Sequence, residues 1–285
     1  MQRRDWKRAG AALQFAQLTV QPGSSRSREL TERAEKSYLS RQDVIGWSTA
    51  VEYGDAHIRC LVQEPEGEPR GLVLIMGGFG VAKERFHRHS AAALKAGYSV
   101  LRMDMPDRWA GIPLEDSIRT VLRELKPRIP DNQIHLFGTC LGASFLVEFA
   151  SQYRVASLTT VGAIIDPVSC VDYIPIDSLR VLGELPDEPT RDDLVAVADR
   201  YNIVERAQLI TSPSLLFHGA LDRVASARQM TALAAAIGDS AQTQIYLLQG
   251  HACLGKVAEI TDRWIAFIDD LTPPVSGTRV GRRAA

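Results

Sequence analysis

The 285-residue chain carries almost no net charge: 33 Lys and Arg stand against 34 Asp and Glu, leaving −1 at neutral pH. That balance gives no electrostatic basis for binding nucleic acid or an anionic membrane surface. Cysteine is scarce as well. The four residues Cys60, Cys140, Cys170 and Cys253 show no paired metal-ligand spacing, so nothing points to a disulfide framework or a metal site, and a reducing cytoplasm is the expected setting. No apolar run approaches the roughly 20 residues needed to cross a bilayer, and there is no internal repeat. The glycines at Gly77, Gly78 and Gly80 are followed by no Gly-Lys-Ser/Thr and do not fit Gly-x-Gly-x-x-Gly, so no phosphate loop is indicated and no cofactor is expected.

What is present is an apolar share of 45%, enough for the full core of one large domain with a small accessory piece. The first residues, Met1 to Arg8, are basic and Ala9 to Ala16 are partly apolar. Paired arginines there superficially resemble an export signal, but Gln14 and Gln17 interrupt the apolar run and an amphipathic helix is the better reading. A Ser/Arg-rich stretch at Gly23 to Arg28 separates it from a second helix at about Glu29 to Gln42. Residues 1–46 therefore read as a helical extension, too small to be stable alone. A hairpin follows, Thr49 to Tyr53 and His57 to Val62, turning at Gly54-Asp55. Buried strands are expected at Gly71 to Met76, Tyr98 to Met103, Ile134 to Phe137, Leu158 to Ile165 and Pro213 to Gly219, and a last strand at Thr243 to Leu248. A helix at about Lys256 to Leu271 closes the domain. Strands alternating with helices imply an α/β fold with a mostly parallel sheet.

Chemistry concentrates at strand ends. Gly138-Thr139-Cys140-Leu141-Gly142 joins the apolar strand at Ile134 to Phe137 to the helix-like run Ala143 to Ala150, placing a nucleophile in a small-residue turn before a helix N-terminus, where negative charge is favoured. By itself the pentapeptide also fits a small buried cysteine in a strand-to-helix turn, the less favoured of the two readings. Further along, Asp222 lies on the loop after the strand ending His218-Gly219, and Gly250-His251 comes just past the last strand. Upstream, Gly77 to Gly80 follow a buried strand and precede a helix starting near Lys83 or Glu84.

From about Trp47 to Leu271 these residues resemble an α/β-hydrolase, with Cys140, Asp222 and His251 at the positions of nucleophile, acid and base in that chain order. The cysteine elbow is similar to that of dienelactone hydrolases, and a Cys-Asp-His triad is similar to that of bile-acid acyl-CoA amino-acid acyltransferases. Gly-Gly-Phe-Gly-x-x-Lys-Glu at Gly77 to Glu84, with the helical extension, resembles hydrolases of that type that include carbon–carbon bond hydrolases. The resemblance implies an oxyanion hole from the backbone N–H of Leu141 and of Phe79, with Gly78 as second choice for the upstream donor. Asp166, also at a strand end, is the runner-up acid.

Between residues 167 and 210 the alternation stops, which suggests a small cap containing one helix, Arg191 to Tyr201, and lined by Tyr173, Ile174 and Ile176. Trp109 would edge the pocket. Residues 272–285 read as a disordered tail. The expected activity is hydrolysis or transfer of an acyl group from an ester or thioester through an acyl-thioenzyme, the partner being a small-molecule or carrier-bound acyl substrate. A carbon–carbon hydrolase on the same triad and a catalytically inactive binding protein of this fold are the alternatives. A homodimer is allowed. A disulfide between Cys140 and Cys253 is conceivable from their closeness to the same triad.

Overall fold

The computed structural model describes residues 24–41, 44–54, 56–78, 81–105, 114–125 and 131–272, with positions 12, 13, 16, 20 and 129. The expectations for most of the first twenty residues, for Phe79 and Trp109, and for the tail from 273 onward lie outside the described residues. Eight strands form one sheet in the order β1-β2-β4-β3-β5-β6-β7-β8. Strands β1 (Trp47–Tyr53) and β2 (Ala56–Gln63) make the hairpin, turning through Gly54 at φ +57°, and β2 lies antiparallel to β4. From β4 (Ser99–Met103) through β3 (Leu72–Met76), β5 (Ile134–Thr139), β6 (Ser157–Val161), β7 (Ser214–Gly219) and β8 (Ala241–Tyr246) all pairing is parallel.

A parallel strand covered on both faces must be apolar at every position, and the strand period of two then divides its residues between two cores. On β3, Leu72, Leu74 and Met76 enter one core while Val73 and Ile75 enter the other. The larger core is closed by α3 (Leu114–Leu125), α4 (Cys140–Gln152) and α7 (Ala227–Ile237), together with α5 (Ile176–Leu182) and α6 (Arg191–Asp199). The smaller one is closed by α2 (His87–Lys95) and α8 (Val257–Leu271), with Trp264 against Phe137 at 4.6 Å between ring centroids. Helix α4 is buried from Leu141 to Ser151, as expected of a helix enclosed by neighbours all round. Helix α1 (Ser25–Leu39) seats Leu30, Ala34 and Tyr38.

Several elements differ from expectation. Strand β6 stops at Val161, not Ile165, because Gly162 at φ +63° turns the chain; Ala163 to Ile165 stay buried as loop. Strand β8 runs two residues earlier, and Leu247 and Leu248 form a turn, 75% and 85% exposed, so their apolarity reflects no burial. Helix α1 starts and ends earlier than Glu29 to Gln42. Between 167 and 210 there are two short helices and 3₁₀ turns at Val168–Tyr173 and Arg206–Leu209, where one helix was expected. Helix α5 is seven residues long, between Pro175 and Gly183, too short to display a helical period. Helices α3 and α7 have no counterpart in the expectations above. Thr272, placed in the tail, is buried and hydrogen-bonded through its Oγ1 to His135 Nε2 at 3.0 Å.

Trp264 is fully buried and its Nε1–H has no hydrogen-bond partner. Trp264→Ala should lower the unfolding free energy by about 3–5 kcal/mol in urea titration, the range for emptying an aromatic site. Trp264→Phe should cost distinctly less, because it removes the unsatisfied N–H along with the lost contacts.

Candidate active site

The elbow is built from backbone constraint. Cys140 follows Thr139, the extended end of β5, and takes φ 54°, a left-handed conformation that costs a non-glycine residue on the order of 1–3 kcal/mol. The turn points the cysteine out of the sheet while Leu141 begins the buried face of α4 with a backbone N–H free of intrahelical partners. Only glycine fits beside it. A Cβ on Gly142 would lie 2.2 Å from the Gly77 carbonyl oxygen, and one on Gly78 would lie 2.7 Å from Cys140 Cβ and 2.8 Å from its Sγ. The loop after β3 thus touches the nucleophile, with Gly78 at the contact and 3.3 Å separating that Cβ position from Leu141 N.

Asp222 and His251 meet at the ends of β7 and β8. Asp222 Oδ1 accepts from the N–H groups of Val224 at 2.8 Å and Ala225 at 3.0 Å, and Oδ2 accepts from His251 Nδ1 at 2.8 Å. Burial works against the Asp222 charge, but the bond from His251 and those from the backbone hold its carboxyl below the ordinary value. Burial likewise opposes charge on His251; its bond to Asp222 and its interaction with Cys140 outweigh that and hold the imidazole up at about 10. His251 Nε2 is buried, and Cys140 acts on the ring both as a hydrogen-bond partner and through its charge.

Two features of this pairing escape sequence reasoning. Gly162 packs into the junction, where an added Cβ would sit 3.4 Å from Asp222 Oδ2 and 3.6 Å from His251 Nδ1. His218, fully buried on β7, donates from Nε2 to the Ala225 carbonyl at 2.9 Å and so braces the turn that holds Asp222. The signal for His218 was its place just before Gly219; for Gly162 it was a glycine ending an apolar run.

Of the other expected residues, Asp166 sits apart from His251 and accepts from the Ser169 N–H at 3.3 Å and Asn202 Nδ2 at 3.4 Å. Tyr173 is 62% exposed, and Ile174 is half-buried against the larger core. Cys253 follows His251 through two left-handed residues, Ala252 and itself, which drop it fully buried into the smaller core, so the conceived bond to Cys140 is not formed and all four cysteines are free. Burial pushes Cys60 up to about 12 and Cys170 and Cys253 each to about 11, which keeps those thiols protonated and inert. Cys140 is the one cysteine not fully buried. Among the described residues no cluster of His, Cys, Asp and Glu is disposed to hold a metal ion, and no helix is long and apolar enough to cross a membrane.

No family model matches the chain. It is similar to the crystal structure of 2,6-dihydroxy-pseudo-oxynicotine hydrolase, with a TM-score of 0.77 and 17% identity over 92% of this chain and 78% of that one. The esterase domain of a Rhodothermus marinus protein superposes with a TM-score of 0.60 and 18% identity, over 79% of this chain and 98% of the domain. A curated 2-hydroxy-6-oxononadienedioate/2-hydroxy-6-oxononatrienedioate hydrolase of Klebsiella pneumoniae subsp. pneumoniae is 24% identical over 139 residues. That match spans 45% of this chain and 48% of the relative, about half its length. The chain has the α/β-hydrolase fold.

Because the imidazole of His251 binds its proton more tightly in the folded state than at the ordinary 6.5, its pairing stabilises the fold fully below about pH 6.5, and that contribution disappears as pH rises through about 10. Urea midpoints of the parent protein should therefore fall between pH 6.5 and 10 more steeply than those of His251→Gln. Parallel slopes for the two proteins would contradict the shifted histidine.

Proposed function

We propose that this chain hydrolyses or transfers an acyl group, from an ester or thioester, through a covalent acyl-thioenzyme on Cys140. The observation that carries the reading is His251: Nδ1 is fixed by Asp222, and the buried Nε2 is left for Cys140, whose hydrogen bond and charge raise the ring's affinity for its proton. An imidazole so placed has one free nitrogen for one proton, which is what a thiol nucleophile requires. The proton given up by Cys140 rests on Nε2 before the attack, in line with the raised imidazole; Sγ then bonds to the carbonyl carbon, and the oxyanion is met by the backbone N–H groups of Leu141 and of Phe79 or Gly78. His251 returns the proton to the leaving oxygen or sulfur as that bond breaks. Water, an amine or another thiol then attacks the thioester, giving its proton to Nε2, and the thiol is regenerated. The substrate is a small-molecule or carrier-bound acyl donor, with Tyr173 and Ile174 edging the entrance. A reducing, cytoplasmic setting suits four free cysteines.

A second reading has one observation in its favour. The curated relative is a hydrolase acting on an oxo-dienedioate, and a carbon–carbon bond hydrolase would use the same oxyanion site on a ketone. The acyl reading is preferred because a thiol nucleophile favours an acyl intermediate open to attack by amines and thiols.

Intact-mass analysis after brief incubation with p-nitrophenyl esters and acyl thioesters tests the two. The parent should gain an acyl mass that maps to Cys140 and decays in water or faster with added amine. Cys140→Ala should gain none, and His251→Ala should acylate at least about a hundredfold more slowly. Turnover of vinylogous diketones without any ester or thioester adduct would favour the second reading.

A further inference from the structure

Behind the turn that faces Cys140 lies a buried ionic knot. Lys83, the start of a 3₁₀ turn six residues after Gly77, is fully buried. Its Nζ reaches Glu35 Oε2 at 2.8 Å, Asp104 Oδ2 at 2.9 Å and Glu84 Oε1 at 3.1 Å, and its backbone N–H donates to Asp104 Oδ1 at 2.7 Å. Arg102, also fully buried, donates from Nη1 to the Lys83 carbonyl at 3.0 Å. Its Nη2 donates to Tyr38 Oη at 2.9 Å and to Gln63 Oε1 at 2.8 Å. Tyr38 Oη in turn lies 2.9 Å from His87 Nδ1, and the Arg102 guanidinium stacks over the Tyr38 ring at 4.9 Å. Burial disfavours the Lys83 charge, yet Asp104, Glu84 and Glu35 more than offset it and raise its pKa. Burial and Asp104 push Glu84 towards its neutral form.

Both backbone groups of Lys83, its N–H and its carbonyl, are tied by side chains from β4 and the residue after it, so the exit of the Gly77–Gly78 turn is fixed from outside the turn itself. The entry is fixed by β3. Two of the ties to this anchor, Glu35 and Tyr38, come one turn apart on α1. A surface helix needs no carboxylate turned onto a buried lysine to pack, and an ion pair with a buried partner is weak evidence of stability, so the arrangement asks for another purpose.

We propose that α1 is a working part of the site: Glu35 and Tyr38 hold the Lys83–Arg102–Asp104 knot, and the knot holds the oxyanion-side turn against Cys140. Glu35 is then a positioning residue for the oxyanion donors, acting through Lys83. This rests on the acyl reading for its kinetic consequence and on the knot alone for its mechanical one.

The test uses the full chain with Glu35→Gln, Glu35→Asp and the control Arg33→Ala, an exposed α1 residue whose guanidinium pairs with Glu29 at 3.4 Å. Three readouts separate the causes: turnover of p-nitrophenyl butyrate, alkylation of Cys140 by iodoacetamide, and backbone hydrogen exchange. Glu35→Gln should lower kcat on the order of tenfold or more with KM unchanged, since misplaced donors fail only where charge develops. Alkylation needs the thiol and His251 but no oxyanion donor, so its rate should not move. Exchange should quicken across residues 77–86 and stay unchanged across 134–152. Glu35→Asp should recover part of kcat, and Arg33→Ala should match the parent. Unchanged kcat in Glu35→Gln, or alkylation falling in step with it, overturns the proposal. If the parent turns over no acyl donor, the acyl reading fails by itself; exchange then decides, with quickening confined to 77–86 supporting the knot's role and unchanged exchange ending it.

Discussion

A left-handed residue between a strand and a helix is the constraint on which this molecule depends. At φ 54°, Cys140 ends β5 and starts α4 within one peptide unit, so the cysteine stands at the sheet edge while the helix turns straight back onto the larger core. The strain is retained because the surroundings leave no other path. With Gly142 against the Gly77 carbonyl and Gly78 against Cys140, the β3 loop and the elbow are locked at distances that any side chain would break. Burial of α4 on every side then supplies the packing that offsets the backbone cost.

The same economy governs the acid and base. Asp222 is fully enclosed at its side chain, and a buried carboxylate survives only with its lone pairs occupied. Two backbone N–H groups and the His251 ring occupy them. Having satisfied the acid, His251 has one nitrogen left, and the left-handed pair at Ala252 and Cys253 sends the chain down into the smaller core, leaving the ring above it. Orientation of the base thus comes from packing of the residues behind it as much as from its hydrogen bond.

How much of this was legible in sequence follows from the range of each interaction. The central strands were readable because burial on both faces forces continuous apolar runs, and Cys140 and Asp222 were readable because each follows such a run; His251 was readable from its place after them in the chain order. The bounds of the edge strand β8 were not: it carries exposed polar residues, and the apolar pair Leu247-Leu248 beyond it faces solvent. The two short helices between 176 and 199 lack the length for a period to emerge. The knot was invisible for a different reason. Glu35, Lys83 and Arg102 are 48 and 19 residues apart, and charged residues in a sequence read as surface until a structure buries them.

That burial also orders the two halves of the site by cost. The nucleophile side rests on glycines and a strained turn, which are local and demand nothing of distant residues. On the other side, the described residues Gly77, Gly78, Val81 and Ala82 belong to no helix or strand, and the turn is closed locally by the Val81 N–H on the Gly78 carbonyl at 3.2 Å. Isolated glycines there would sample many conformations, and preorganised donors are worth most when nothing must rearrange as charge develops. A tie to β4 alone would fix the turn to the sheet. Adding Glu35 of α1 closes the knot around Lys83, whose side chain is fully buried, and burial strengthens every bond it makes. An extension that began as an apparent accessory to the domain is, by this logic, the wall that makes the oxyanion side rigid.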